Sequence, residues 1–184
     1  MDRLSQQTLD GIEPYKILSC QGYGQIQCKF MFVGISAGKL GALKTNVPFT
    51  KDSSGRLLQR VLGELGFSKS DEFSLQPKLN DCWITNLVKG KILDESGNNR
   101  LPNYKEISYW WQDFVSEVEK VSPNYIIALG DLVFKTINTT TSFHLTHNLK
   151  KMKHPRWYAS HGAINKNKSA WKEMLSDYKK VLQE

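Results

Sequence analysis

The chain is poor in cysteine. Cys20, Cys28 and Cys82 are its only three in 184 residues. They are too few and too scattered for a disulfide framework, and an odd number fits a reducing compartment. No apolar run approaches the roughly 20 residues of a membrane span. The opening residues, Met1-Asp2-Arg3-Leu4, continue into polar ones without a secretory apolar core. The expected location is therefore intracellular, cytoplasmic or nuclear, away from membranes. No Cys/His group has zinc-site spacing, so no metal is expected. Repeats and low-complexity tracts are missing as well. Acidic residues are outnumbered, 18 Asp and Glu against 25 Lys and Arg, a formal charge of +7. A basic balance of this size hints at a polyanionic partner.

What is present fits one globular domain. The 40% hydrophobic and 23% charged content supplies an ordinary core and surface. A chain of this length needs no staple. Residues 1–27 are poorly patterned and read as an N-terminal extension or cap.

Short apolar runs alternate with amphipathic segments. Residues 29–33, 82–88 and 125–130 read as buried strands, with a weaker fourth strand within 149–154. Residues 54–66 read as a helix capped by Ser54 and ended by Gly66, with leucines and valines at three- and four-residue steps. Residues 104–121, 131–137 and 171–182 read as further helices, and 67–80 and 89–102 as loops. This alternation predicts an α/β fold, a mainly parallel sheet covered on both faces. Ligands of such sheets bind beyond the carboxyl ends of the strands. The segments of interest are therefore Gly34–Gly38, Thr85-Asn86, Gly130-Asp131 and His154-Pro155.

Several familiar motifs fail there. Gly34-Ile35-Ser36-Ala37-Gly38-Lys39 is not a P-loop, because three residues separate the glycines and Leu40 stands where Ser or Thr would hold magnesium. No G-x-G-x-x-G follows a strand. Ser36 has no nucleophile elbow around it.

Five segments in order carry a different pattern. They are Gly34-Ile35-Ser36-Ala37-Gly38, Phe49-Thr50-Lys51-Asp52-Ser53-Ser54-Gly55, Ile84-Thr85-Asn86, Pro123 through Gly130, and His154-Pro155-Arg156. Together they resemble the uracil-DNA glycosylase superfamily, with the nearest likeness to its families 4 and 5, over about residues 28 to 182. The resemblance implies a three-layer α/β/α sandwich with a central, mainly parallel four-stranded sheet. It also implies hydrolysis of the N-glycosidic bond of uracil or another deaminated base flipped out of DNA. DNA is then the expected partner, the expected state a monomer, and no cofactor is expected.

That chemistry gives the residues roles. Phe49, expected on an exposed loop, suits stacking on a flipped base; the plain alternative is a core Phe beneath the following helix. The Asn86 amide both donates and accepts and so matches uracil O4 and N3–H, where cytosine would mismatch twice. His154 can donate to the O2 of the departing base, assisted by backbone N–H groups of Ser36 to Gly38. Gly34, Ile35, Ala37 and Gly38 would complete the base site. Asp52 is the candidate for orienting water and stabilising the cationic sugar, with a helix-terminal role as its alternative. Ser36 stands where superfamily members often carry Asp or Asn. Lys150, Lys151, Lys153 and Arg156 would meet phosphates, and Arg156, Trp157 or Tyr158 would fill the gap left by the base. His144, His147 and His161 read as surface residues.

Two departures bear on this reading. Family 4 resemblance implies a four-iron cluster on four cysteines, yet this chain has Gly90 and, near the next position, Trp110 at two of those places. No cluster is expected. Ser36 is a poor base, and Arg156 replaces the Ser of His-Pro-Ser. A catalytically weak or inactive DNA- or nucleobase-binding module on the same scaffold is therefore the alternative function.

Overall fold

The computed structural model describes residues 19–139 and 148–183. His144, His147 and most of the N-terminal extension lie outside these residues.

Strand β1 (Tyr23–Gly24) is a two-residue edge strand, antiparallel to β3 (Cys82–Lys91). Strands β2 (Phe30–Ala37), β3, β4 (Tyr125–Leu129) and β5 (Asn148–Met152) run parallel, and the full order is β1-β3-β2-β4-β5. The expected four-stranded parallel sheet is thus present with one short strand added. Between the strands lie α1 (Ala42–Thr45), α2 (Ser53–Glu64), α3 (Tyr104–Val121) and α4 (Asp131–Thr139). After β5 come α5 (Pro155–Ser160) and α6 (Ser169–Gln183).

The strand order makes β2 the pivot. The chain steps from β2 to β3 on one side, then crosses back to β4 and β5 on the other. Right-handed crossovers then place α2 on one face and α3 with α4 on the opposite face. The core shows this division. Phe30, Phe32 and Ile84 point to the side where Leu57, Leu58 and Leu62 of α2 meet Met174 and Tyr178 of α6. Met31, Val33 and Leu87 point to the other side, against Phe114 and Val118 of α3 and Val133 of α4. Successive strand residues face opposite layers, as a pleated strand requires. The protein is a three-layer α/β/α sandwich.

Helix α3 begins on a reciprocal capping box: Asn103 Oδ1 accepts from Glu106 N at 3.0 Å and Glu106 Oε2 accepts from Asn103 N at 2.8 Å. It ends at Ser122, in the left-handed region with φ 48°, just before Pro123. Its bounds match the pattern read from sequence.

Other bounds differ for physical reasons. Strand β2 continues past Gly34 to Ala37, and β3 runs to Lys91, so the residues expected in strand-end loops lie on strands. Helix α2 starts one residue earlier than expected. Its N-cap is Asp52, whose Oδ1 accepts from Gly55 N at 2.7 Å, and not Ser54. Among the described residues, no helix is long and apolar enough to cross a membrane.

Candidate functional site

The pairing of β2 with β4 stops at Val33↔Ala128, whereas its pairing with β3 continues to Ala37↔Lys91. One edge of Gly34–Ala37 is thereby left open at the switch point of the sheet, where doubly wound folds hold ligands. A cavity of about 430 Å³ lies there, within the size range of small-molecule sites.

Phe49, Asn86 and His154, separated by up to 105 positions in sequence, all line this cavity, together with Asp52, Ser36 and Arg156. Asn86 sits opposite Gly34 in the β2–β3 ladder and is buried. Its amide oxygen and the Phe49 ring close over Gly34. A Cβ at that glycine would lie 2.4 Å from Asn86 Oδ1 and 2.6 Å from Phe49 Cζ. Glycine is therefore the residue that lets ring and amide share one floor.

Phe49 is held in the left-handed region, φ 51°, as are Asn46 at 56° and Lys51 at 70°. Such backbone costs of order 1–3 kcal/mol per residue and needs surrounding contacts to persist. Thr50 Oγ1 donates to Val47 O at 2.8 Å, and Gln59 Nε2 donates to Phe49 O at 3.3 Å. Phe49 is 8% exposed and belongs to the core cluster beneath α2. The exposed loop expected from Pro48 and the polar residues after Phe49 is corrected: Thr50 is buried too. The ring packs in the core and borders the cavity, and its centroid lies 6.1 Å from the His154 ring.

His154 caps α5. Its Nδ1 accepts from Arg156 N at 3.0 Å, so the neutral ring carries its proton on Nε2. Burial, reinforced by the Arg156 charge, pushes its pKa down to about 4. At neutral pH the cavity thus faces a neutral imidazole donor. Asp52 uses Oδ1 for the cap of α2, while Oδ2 faces Gly38 and Gly41, where a Cβ at Gly41 would lie 2.5 Å from it. Burial raises its pKa above the usual carboxylate value, against the opposing pull of Gly55 N–H and Arg56.

Ile35, Ser36 and Gly38 line the cavity. Ala37 does not; it is buried against Cys20 and Ala42. Tyr158 is also corrected. It is fully buried, and its hydroxyl donates to Asp177 Oδ2 at 2.5 Å. A ring held in the core has no reach to a nucleic acid. Trp157 is 39% exposed and stacks on the exposed His161 at 4.2 Å between centroids. Lys151 and Lys153 are exposed and pair with Asp131 and Glu173, whereas the half-buried Lys150 donates to Val181 O at 3.1 Å.

The sequence reading missed one wall. Residues 92–101, within the 89–102 segment expected as loop, bend back through a Leu93↔Asn99 bridge and bring Asn99, Arg100 and Leu101 to the cavity. Asn99 Oδ1 accepts from Lys39 N at 3.0 Å, and Arg100 is clamped by both oxygens of Glu106, the capping-box residue of α3. The Asn103-x-x-Glu106 spacing was the available signal for the anchor.

The three thiols are buried and unpaired. Burial pushes the pKa of Cys20 up to about 12 and of Cys28 up to about 11, and raises that of Cys82 as well. Gly90 lies in β3 and Trp110 packs on Val88 and Ile92. These residues do not fit a four-iron cluster, which needs four thiolates. Among the described residues there is no group of three His, Cys, Asp or Glu able to hold a metal ion.

Residues 21–179 match the family model described as the uracil DNA glycosylase superfamily. The chain is similar to a type-4 uracil-DNA glycosylase of Archaeoglobus fulgidus, 29% identical over 128 residues, covering 64% of this chain and 56% of that protein. It is 35% identical over 60 residues to a type-5 uracil-DNA glycosylase of Thermus thermophilus, covering 33% of this chain and 27% of that protein. A type-4 enzyme of Pyrobaculum aerophilum is 28% identical over 126 residues, covering 68% and 56%. The chain therefore spans about half the length of the two type-4 relatives it matches.

Proposed function

Because the chain belongs to the uracil DNA glycosylase superfamily, we propose that it is a monofunctional DNA glycosylase that hydrolyses the N-glycosidic bond of uracil or another deaminated base extruded from DNA. The observation that carries this reading is the convergence of Phe49, Asn86 and His154 on one cavity at the switch point of the sheet.

In this reading Phe49 stacks on the base face, an interaction worth about 1–3 kcal/mol in single-strand binders and useful against the few kcal/mol of flipping. The Asn86 amide reads O4 and N3–H. Nε2–H of the neutral His154 donates to O2 as negative charge gathers on the leaving base, the moment at which a preorganised donor gains most. A neutral donor also avoids holding a charged imidazolium in the free site. Asp52, through Oδ2, orients the attacking water and stabilises the cationic sugar. Arg156, Lys151 and Lys153 meet backbone phosphates, and Trp157 occupies the space vacated by the base.

A second reading is favoured by Ser36 and by the capping role of Asp52 Oδ1. A chain with these features retains the cavity and the basic face but lacks an effective base, and acts as a DNA- or nucleobase-binding module. Single- and double-stranded oligonucleotides carrying uracil, hypoxanthine, xanthine or a thymine mismatch, treated with the protein and then alkali, separate the two. Strand scission lost in Asn86→Ala and His154→Ala supports the enzyme. Salt-dependent binding without scission from any substrate supports the module.

A further inference from the structure

Lys89 is fully buried, and none of the roles proposed for the cavity uses it. Its ammonium donates to the backbone carbonyl of Asn86 at 2.7 Å, to Thr85 Oγ1 at 2.5 Å and to the Glu117 carboxylate. Glu117 comes from α3 and also accepts from Trp83 Nε1 at 2.9 Å and from Thr85 Oγ1 at 2.8 and 3.0 Å.

A regular strand would separate Lys89 from Thr85 by about 13 Å along its axis. The reach is possible because the strand is not regular there. Ser36 pairs with Val88, but Ala37 pairs with Lys91, so Lys89 and Gly90 are extra residues in β3. The bulge re-aims the lysine back along its own strand. Pleating separates the two sides of this segment. Asn86 shares its face with Cys82 and Ile84 and looks into the cavity, while Thr85 looks toward α3 and meets Glu117.

A buried ion pair is a weak device for stability, since apolar residues of similar volume often do as well. What this one supplies is location. It grips the backbone of the base-reading residue from behind, two residues before Val88, the last regularly paired residue ahead of the bulge. Resting on the glycosylase reading, we infer that Lys89 and Glu117 are positioning residues that fix the angle at which the Asn86 amide enters the cavity, and so set which base edge is accepted.

The test uses the full chain and uracil-containing single-stranded DNA. Lys89→Met alone strands a buried carboxylate and risks unfolding. The paired variant Lys89→Met with Glu117→Gln removes both charges and keeps an acceptor for Trp83 and Thr85. It is expected to melt close to wild type yet lose at least tenfold in kcat/KM. In an Asn86→Ala background the same pair of changes is expected to cost less than twofold, because the effect passes through that amide. Lys89→Gln paired with Glu117→Gln, which leaves no buried charge without its partner, gives the same pattern with a smaller loss and serves if the Lys89→Met pair does not fold. The Asn86 side-chain amide cross-peak in a ¹⁵N-correlation spectrum is expected to shift or broaden in both variants, whether or not wild type releases any base. Wild-type turnover in a well-folded paired variant, equal losses with and without Asn86, or an unmoved cross-peak overturns the inference. A wild type that releases no base, with the cross-peak still moving, overturns the glycosylase reading alone.

Discussion

The amide of Asn86 stands directly over Gly34, so close that a single methyl on that glycine would lie 2.4 Å from Oδ1. Gly34→Ala is therefore a steric test of the cavity floor. The methyl must displace the amide or the Phe49 ring, whose Cζ would lie 2.6 Å away. Overpacking of this kind costs roughly 1–3 kcal/mol of stability. Base release is expected to fall at least tenfold, with a melting temperature lowered by several degrees. Calorimetry beside single-turnover base release checks both.

His154 is predicted to remain neutral through the physiological range, since its pKa is pushed down to about 4. In the unfolded chain the same ring titrates near 6.5. Between those values the unfolded state binds the extra proton and the native state does not, so stability is intact above about pH 6.5 and falls as pH drops toward 4. Urea unfolding at pH 7.5 and 4.5 is expected to show a larger acid loss for wild type than for His154→Gln. Equal losses would mean that the ring is already charged in the fold.

Much of this site was legible as residue types and order, but not as distance. The strand–helix alternation gives the sandwich, and the spacing of Phe114 and Val118 gives α3, although not its capping box. What periodicity could not supply was how far β2 and β3 continue. Gly34 reads as a stop because glycine is a poor strand residue, yet the close approach of Asn86 and Phe49 is what requires it there. Tyr158 fails for a related reason. It follows Trp157 on a loop that reads as exposed, but α5 turns its ring inward to Asp177. The wall at Asn99–Leu101 carries no periodic pattern at all. It is fixed by tertiary bonds to Lys39 and Glu106, contacts of high sequence separation in the first case.

Asp52 has two separable duties, and one substitution distinguishes them. Asn caps helices about as well as Asp, so Asp52→Asn should preserve α2 with a stability change within about 0.5 kcal/mol, whereas Asp52→Ala should lose about 1 kcal/mol. Base catalysis needs the ionised carboxylate. Burial raises its pKa, so the acid limb of the kcat/KM profile is expected to fall above the ordinary carboxylate range. Asp52→Asn should lower the plateau by roughly 10²-fold or more and abolish that limb. A profile for Asp52→Asn with the limb unchanged assigns the titration to another group.

Arg100 bears on the missed wall. Its guanidinium is held by both Glu106 oxygens and by the carbonyls of Leu93 and Leu101, each at 3.0 Å. Removing Glu106 takes away the clamp and the capping-box partner together. Glu106→Ala is expected to destabilise by about 1–3 kcal/mol, the range for leaving a partly buried hydrogen-bonded group unpaired. It should also raise KM for a uracil oligonucleotide more than it lowers kcat, because the wall bounds the cavity and supplies no proton. An unchanged KM with a lowered melting temperature would make the clamp purely structural.

The basic residues after β5 divide by what already holds them. Lys150 donates to a backbone carbonyl of α6 and lies over the Tyr125 ring at 4.8 Å, so its charge is tied to the fold. Arg156 is exposed at the cavity mouth. Lys151 and Lys153 sit between these cases, since exposed pairs with Asp131 and Glu173 hold their ammonium groups only weakly. Each phosphate contact with single-stranded DNA contributes about 0.7 to the slope of log K against log salt. Arg156→Gln is accordingly expected to reduce the slope by about 0.7, and Lys151→Gln with Lys153→Gln by up to about twice that. Lys150→Gln should leave it unchanged. Filter binding or fluorescence anisotropy across a salt series measures all three. A slope lost at Lys150 and retained at Arg156 would place the DNA on the α6 side of β5, away from the cavity.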